Sequence, residues 1–234
     1  MTDNSGSAHN GDSLVSQIVS DPSLGARRRT AAAGTSLHEP GEPAGNVFAI
    51  HTGQVRLYQL SPDGSRRLMD ILGPGQWFGA EAVGGLSQYG CQARTETAAT
   101  FCMLPATRLL AALEHRPEAS LEIIRQLAGR LNRVSEEAGG LAFEDCRHRL
   151  IRALVRFSRS AAAVATQDGV ELHMTHEQLA QAVGAARETV SLILTDLRQQ
   201  NLIRTGRNRL SFDPRKLDEA LEENHPSSSS TILS

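Results

Sequence analysis

The hydrophobic positions change period twice along this chain. From about Thr30 to Pro105 they fall in short runs between glycine turns. Val55, Leu57 and Gln59 alternate with Arg56 and Tyr58, the two-residue period of a strand. Ser61-Pro-Asp63-Gly64 is a turn signal, and Arg66 to Leu72 reads as the returning strand. Gly73-Pro-Gly75 and Gly79 punctuate the next segments, and Ala93 to Leu104 closes the set. Short strands at near-regular spacing predict a double-sheet roll of the jelly-roll type.

From Pro105 the period becomes helical. Ile124, Leu127, Leu131, Val134, Ala138 and Leu141 recur at alternating steps of three and four. Such a seam predicts a helix that pairs with its own copy; a core-facing stripe on a monomer is the alternative. Gly139-Gly140 offers a break or hinge before Glu144. Arg147 to Ala163 predicts a further amphipathic helix through Leu150, Ile151, Leu154, Val155 and Phe157.

The most informative stretch runs from Thr175 to Gln199. Thr175 and Gln178 have capping-box spacing ahead of the apolar Leu179, Ala180 and Val183. Gly184 supplies a sharp turn. A second helix, from near Ala186, carries Val190, Ile193, Leu194 and Leu197 at helical spacing. This is the layout of a helix-turn-helix, whose second helix enters the major groove of DNA. It leaves Arg187, Glu188 and Ser191 facing outward near that helix's start. Arginine can grip guanine O6 and N7 with two bonds, and glutamate can accept from the cytosine amino group. An ordinary helical hairpin with a solvated face is the competing reading. Small Ala180, the glycine turn and the Arg187-Glu188 pair weigh against it. Leu202 to Phe212 then reads as a two-stranded ribbon around Gly206-Arg-Asn, a wing whose Arg207 and Arg209 would meet phosphates. Leu217 to Glu223 reads as a short helix.

Composition refines this picture. With 234 residues the chain has room for two small domains. The formal net charge is -2, which does not announce nucleic acid. From Arg147 to Phe212, however, ten arginines face five carboxylates, a local excess of +5 that would attract phosphates. The three cysteines show no CxxC spacing and suit a reducing cytoplasm. No run approaches a membrane span and no signal peptide is evident, so a cytoplasmic location without a membrane partner is expected. Met1 to Asp12 reads as disordered, Ser13 to Ser20 as a short amphipathic helix, and Arg27-Arg28-Arg29 as a solvated basic run, with phosphate contact as the lesser reading. The expected plan is a flexible arm (1–29), the roll (30–115), a dimerisation helix and hinge (116–145), a winged helix-turn-helix (146–224) and a disordered tail (225–234).

Gly129-Arg-Leu, Ser135-Glu-Glu-Ala-Gly-Gly-Leu-Ala-Phe-Glu-Asp145 and Val183-Gly-Ala-Ala-Arg-Glu-Thr-Val190 resemble the cyclic-AMP receptor protein and fumarate-nitrate regulator (Crp/Fnr) family. Gly53, Asp63-Gly64, Gly75 and Phe78-Gly79 fit its glycine scaffold, and the resemblance covers roughly residues 34 to 212. It implies an α+β chain: a cyclic-nucleotide-binding-like β-roll, a long dimerisation helix and a C-terminal winged helix-turn-helix. It implies a homodimeric transcription factor that recruits or blocks RNA polymerase at a palindromic TGTGA-like site in double-stranded DNA. By resemblance Arg187 and Glu188 read bases, and Thr175 and Thr189 contact phosphates.

Two DNA positions depart from the family pattern. Leu192 stands where the family often has arginine, and Ala186 where it often has a phosphate-binding serine. The effector site departs further. The family pocket places a glutamate just after Gly79 and an Arg-Ser pair near residues 89 and 90. This chain has Ala80, with Glu81 one place late, and Tyr89. Arg94 is the nearest replacement cation, Val134 replaces an adenine-contacting threonine, and Ser135 remains. Without its arginine a phosphate loses a charge-assisted bond. Cyclic AMP is therefore not expected as a strong effector, and no cofactor is expected. The iron–sulfur branch is excluded, because no cysteine precedes Cys91. Lesser readings are a haem sensor using His38, His51 or Cys91, and a thiol switch at Cys91, Cys102 or Cys146. A cupin-like metal enzyme would need a closely spaced histidine pair, which the roll lacks, so no metal site and no enzyme activity are expected. The leading expectation is a regulator active without nucleotide or with another effector, its seam helix and hinge setting two recognition helices ~34 Å apart.

Overall fold

The computed structural model describes residues 13–62, 64–143 and 145–222. Asp63, Glu144, the segment Met1 to Asp12 and the segment Glu223 to Ser234, with the expected tail, lie outside the described residues. The described chain falls into two compact units, divided within a helix between Gly139 and Gly140, with Arg159–Ala161 counted in the first.

The first unit opens with α1 (Leu14–Val19), whose N-terminus is capped by Ser13 Oγ accepting from the Ser16 amide at 2.9 Å. Eight strands follow: β1 (Arg27–Ala31), β2 (Ser36–His38), β3 (Asn46–Thr52), β4 (Val55–Leu60), β5 (Arg66–Leu72), β6 (Trp77–Phe78), β7 (Gln92–Thr95) and β8 (Ala99–Pro105). Helix α2 (Ala80–Val83) lies between β6 and β7, and α3 (Ala106–Leu113) and α4 (Pro117–Phe143) follow β8. The strands make two antiparallel sheets in the orders β1-β8-β3-β6 and β2-β7-β4-β5, the expected double-sheet roll.

Alternation along β3 builds two cores. Phe48 and Ile50 join Val55, Leu57, Phe78, Tyr89, Ala93 and Phe101 inside the roll. Val47 and Ala49 join Trp77, Leu104, Leu109, Ala119 and Ile123 and the α1 residues Val15, Ile18 and Val19 on the other side. Gln59 does not share the face of Val55 and Leu57 in effect, because it is exposed at the end of its hairpin. The β3–β4 turn depends on Gly53, at φ +83°. A Cβ there would run into Ala98 O and Ala99, so neither the conformation nor the space admits a side chain.

Two expectations fail here. Residues 13–29 are not a flexible arm. Val15, Ile18 and Val19 are buried in the core, and Arg27, Arg28 and Arg29 form the edge strand β1, paired with β8 from Arg27–Met103 to Ala31–Ala99. Burial of three aliphatic side chains anchors the segment, while the exposed arginines blunt the sheet edge. Nor, of the break or hinge expected at Gly139-Gly140, is there a break: the helix continues through both glycines to Phe143, and the two units divide between them. Each glycine costs a helix only about 1 kcal/mol.

The second unit comprises α5 (Cys146–Phe157), β9 (Ala163–Thr166), β10 (Gly169–Leu172), α6 (His176–Val183), α7 (Arg187–Gln199), β11 (Ile203–Gly206), β12 (Arg209–Phe212) and α8 (Pro214–Glu222). Its sheet order is β11-β12-β10-β9. Leu150, Ile151, Leu154 and Phe157 of α5 are buried, as are Leu179, Val190, Leu194, Leu197, Ile203, Leu210 and Leu217. The helix expected to reach Ala163 stops at Phe157, and Ala163 starts the hairpin β9–β10 instead. Gln167 and Asp168 make that turn, and Gly169 opens β10 opposite Thr166 at φ 133°.

Candidate nucleic-acid interface

The helix-turn-helix is built by local bonds. Thr175 Oγ1 accepts from the Gln178 amide at 3.2 Å, and Gln178 Oε1 accepts from the Thr175 amide at 2.8 Å. This capping box starts α6. Gly184 ends it in the left-handed region, at φ 64°, and turns the chain into α7. Val190, Leu194 and Leu197 anchor α7 from below, with Ile193 half-buried. Arg187, Glu188 and Thr189 are thereby exposed on its first turn. Ala186 gives that turn no side-chain cap, and uncapped amides at a helix start are the kind of group that favours an anion. Thr175 is half-buried, and its hydroxyl proton is not used by the capping bond.

Ser191 is placed differently from the expectation. It is half-buried, and its hydroxyl donates to Arg187 O at 2.9 Å. His176 Nδ1 lies 2.8 Å from Ser191 Oγ and supplies that hydroxyl's second bond. The hydroxyl is thus engaged within the protein rather than held toward bases. Burial lowers the His176 pKa, and the Arg187 charge lowers it further. Nothing in the one-dimensional pattern flagged His176, because its contact crosses from the first turn of α6 to α7.

Some of the basic residues are already paired. Arg147 bonds Asp196, and Gln200 Oε1 accepts from its second amino group at 2.7 Å, tying α5 to α7. Arg209 lies 3.6 Å from Glu171 on β10. Arg207 is exposed beside Asn208, whose φ of 58° makes the turn between β11 and β12. The wing therefore presents Arg207 at its tip, with Arg209 shared with a carboxylate.

On α4, Ala119 and Ile123 enter the core of the first unit. Ile124, Leu127, Leu131 and Val134 fall on another face and are 43% to 66% exposed. Leu121 extends this stripe and was legible in principle, three residues before Ile124. The side chains of Ala138 and Leu141 lie outside the described ones.

Of the expected effector residues, Glu81 and Tyr89 lie near one another, while Arg94 is engaged elsewhere. Gly79 caps α2 at φ 92°, packed against Asn46 O. Ala80 packs against the core shared with α1 and α3. Glu81 Oε1 lies 3.8 Å from Cys91 Sγ. Tyr89 is buried and stacked on His38 with ring centroids 3.9 Å apart. Its hydroxyl donates to Asn46 O at 2.8 Å and accepts from the Asn46 amide at 3.1 Å. Phe48 and Phe78 stack beside them at 4.7 Å. Arg94 sits opposite Arg56 in the β4–β7 register, on the face away from Ala93, and its Nε donates to Gly34 O at 2.9 Å. It does not join Tyr89 or Glu81. Val134 and Ser135 are exposed on α4.

The groups weighed as haem ligands or thiol switches are also accounted for. His38 is 3% exposed, and burial lowers its pKa. His51 Nε2 lies 3.2 Å from Cys102 Sγ and 3.3 Å from Ser20 Oγ. Burial and then Glu81 push the Cys91 thiol up to about 12. Burial also raises the Cys146 thiol. Among the described residues no group of three or more His, Cys, Asp or Glu side chains is placed to hold a metal, and no helix is long and apolar enough to cross a membrane.

Residues 28–116 match the cyclic nucleotide-binding domain, and residues 148–220 match the Crp-like helix-turn-helix domain. The chain is 32% identical over 189 residues to the CRP-like cAMP-activated global transcriptional regulator of Mycobacterium tuberculosis, covering 79% of this chain and 83% of that protein. The chain belongs to the Crp/Fnr family of transcription regulators. This Crp/Fnr chain is also 32% identical over 176 residues to the transcriptional regulator LdrP of Thermus thermophilus, covering 75% of this chain and 86% of LdrP. Among solved structures it resembles a CRP-family transcriptional regulator of Thermus thermophilus with a TM-score of 0.67 and 28% identity, over 83% of this chain and 96% of that one. These relatives are regulators of transcription, not enzymes, and the helix-turn-helix of the second unit is the family's DNA-binding domain.

Proposed function

We propose that this Crp/Fnr regulator works as a homodimer on a palindromic TGTGA-like site in double-stranded DNA, without cyclic AMP or with a different effector. The observation that carries the reading is the first turn of α7. Arg187, Glu188 and Thr189 are exposed there, while Val190, Leu194 and Leu197 hold the helix from below. Arg187 and Glu188 would read bases, and Thr175, Thr189, Arg207 and Arg209 would meet phosphates. The exposed stripe on α4 supports the homodimer, since a second copy would cover it. RNA polymerase is the partner that the family role implies, and the cytoplasm is where that role would be played.

The interior of the roll supports independence from cyclic AMP. The tuberculosis relative is named as cAMP-activated. Here Tyr89 stands at the position of the family's phosphate-binding arginine, and it turns inward onto His38 and Asn46. Arg94, the replacement cation that the sequence offered, lies on the strand face away from Ala93. Tyr89 and Arg94 therefore assemble no donor set for a cyclic phosphate between them.

The test is binding of the purified, ligand-free protein to a palindromic TGTGA-type duplex and to random DNA at one fixed salt concentration, with and without cyclic AMP. Tight specific binding without nucleotide is the expected result. Binding that appears only with cyclic AMP would overturn the nucleotide-independent reading. Equal affinity for both duplexes would overturn the proposed site.

A further inference from the structure

Leu192 is the most exposed large hydrophobic side chain among the described residues, at 72%. It stands on α7, one turn beyond Glu188 on the same face, because residues four apart lie one above the other. Val190, Leu194 and Leu197 occupy the opposite side of the helix and are buried. Leu192 is therefore not part of the core, and it continues the stripe that Glu188 begins.

We propose that Leu192 reads a thymine through the 5-methyl group of the base. The inference rests on the DNA-reading role of α7 and deepens it. A leucine side chain has no donor or acceptor. The thymine methyl is the apolar feature of the major-groove edge, and apolar side chains recognise it by contact. The neighbouring hydroxyls do not compete for that base. Ser191 Oγ donates to Arg187 O and accepts from His176, and Thr195 Oγ1 donates to Ser191 O at 2.9 Å. Beyond Glu188, the stripe thus offers a base edge an apolar surface. Leucine also acts by exclusion. Pressed against guanine, it would leave O6 and N7 without donors in a desolvated groove, a cost that a thymine does not incur. The half-site read by this chain then carries a T·A pair one step beyond the pair read by Glu188.

The experiment begins with selection of the preferred site from a random duplex library by the purified wild-type protein. Each thymine of that site is then replaced singly by deoxyuracil, which removes only the methyl group. Wild type and Leu192→Ala are compared at fixed salt, with thermal melting as a check on folding. The expected result is one position per half-site where deoxyuracil weakens wild-type binding about fourfold, the share of a single buried methyl, and has no effect on Leu192→Ala. Leu192→Arg is expected to move the preference at that position to guanine. Equal deoxyuracil effects in wild type and Leu192→Ala, with specific binding intact, would overturn the thymine assignment and leave the DNA-reading role standing. Failure of the selection to enrich any sequence would overturn both.

Discussion

His176 Nδ1 and Ser191 Oγ, 2.8 Å apart, tie the first turn of α6 to the turn of α7 that carries Arg187. Ser191 gives its own proton to Arg187 O, so the imidazole is the donor to Ser191. The hydroxyl is engaged within the protein, where it links α6 to α7. Ser191→Ala is expected to leave the order of base preferences unchanged. Arg187→Ala is expected to cost about 1–3 kcal/mol on the cognate site and to relax discrimination at one base pair. Competition binding against single-base variants of the site measures both. Loss of discrimination at a base pair in Ser191→Ala would show that the hydroxyl reads DNA after all.

His38 makes the roll sensitive to acid. Burial pushes its pKa below the usual value, against the opposing pull of Glu81, Glu42 and Glu39. Its Nδ1 is buried with no hydrogen-bond partner among the described residues. The unfolded chain binds a proton at His38 near pH ~6.5, and the folded chain resists it. Stability is therefore full above that pH and declines as pH falls toward the lower folded value. His176 is lowered in the same sense and adds to the decline. The melting midpoint of the wild type should drop between about pH 7.5 and pH 5.5, and His38→Gln should lessen the drop. An equally steep drop in His38→Gln would acquit His38.

Local pattern carried much of this architecture. The strand expected over Arg66 to Leu72 is β5 with the same bounds, because alternation and the preceding turn are local signals. The capping box, Gly184 and the wing were legible for the same reason. What escaped the sequence depends on distant partners. Residues 13–29 looked like an arm, because only the pairing of β1 with β8 and the packing of α1 on β3 give them a place. Tyr89 looked like an altered ligand position, whereas its bonds to Asn46 and its stack on His38 make it part of the core. Arg94 could have been read correctly. It follows the interior residue Ala93 directly in β7, so a two-residue period places it on the other face.

Cys91 is a poor thiol switch on these grounds. With its pKa pushed up to about 12, chiefly by burial and then by Glu81, it holds on the order of a thousandfold less thiolate at pH 8 than an ordinary cysteine. Alkylation of the folded protein at pH 8, followed by peptide mapping, should leave Cys91 largely unmodified over the time in which a free cysteine reacts fully. Rapid labelling of this half-buried thiol would show that it ionises readily and would revive the switch.

Helix α4 has two apolar faces, and they make opposite predictions. Ile123 is buried in the core of the first unit, so Ile123→Glu should compromise folding, through an unpaired charge in an apolar site. Leu131 is exposed in the single chain, so Leu131→Glu should leave the melting midpoint of a dilute monomer unchanged. In a symmetric pair of α4 helices, however, the new carboxylate would meet its own copy across the seam. Dimer dissociation should rise about a hundredfold or more, since a buried like-charge pair costs several kcal/mol. Sedimentation equilibrium would show the shift to monomer. Binding to a palindromic duplex would fall toward that for a single half-site, because the two recognition helices would no longer be linked. A Leu131→Glu protein that remains a dimer with undiminished palindrome affinity would remove α4 from the interface and with it the reading of its exposed stripe.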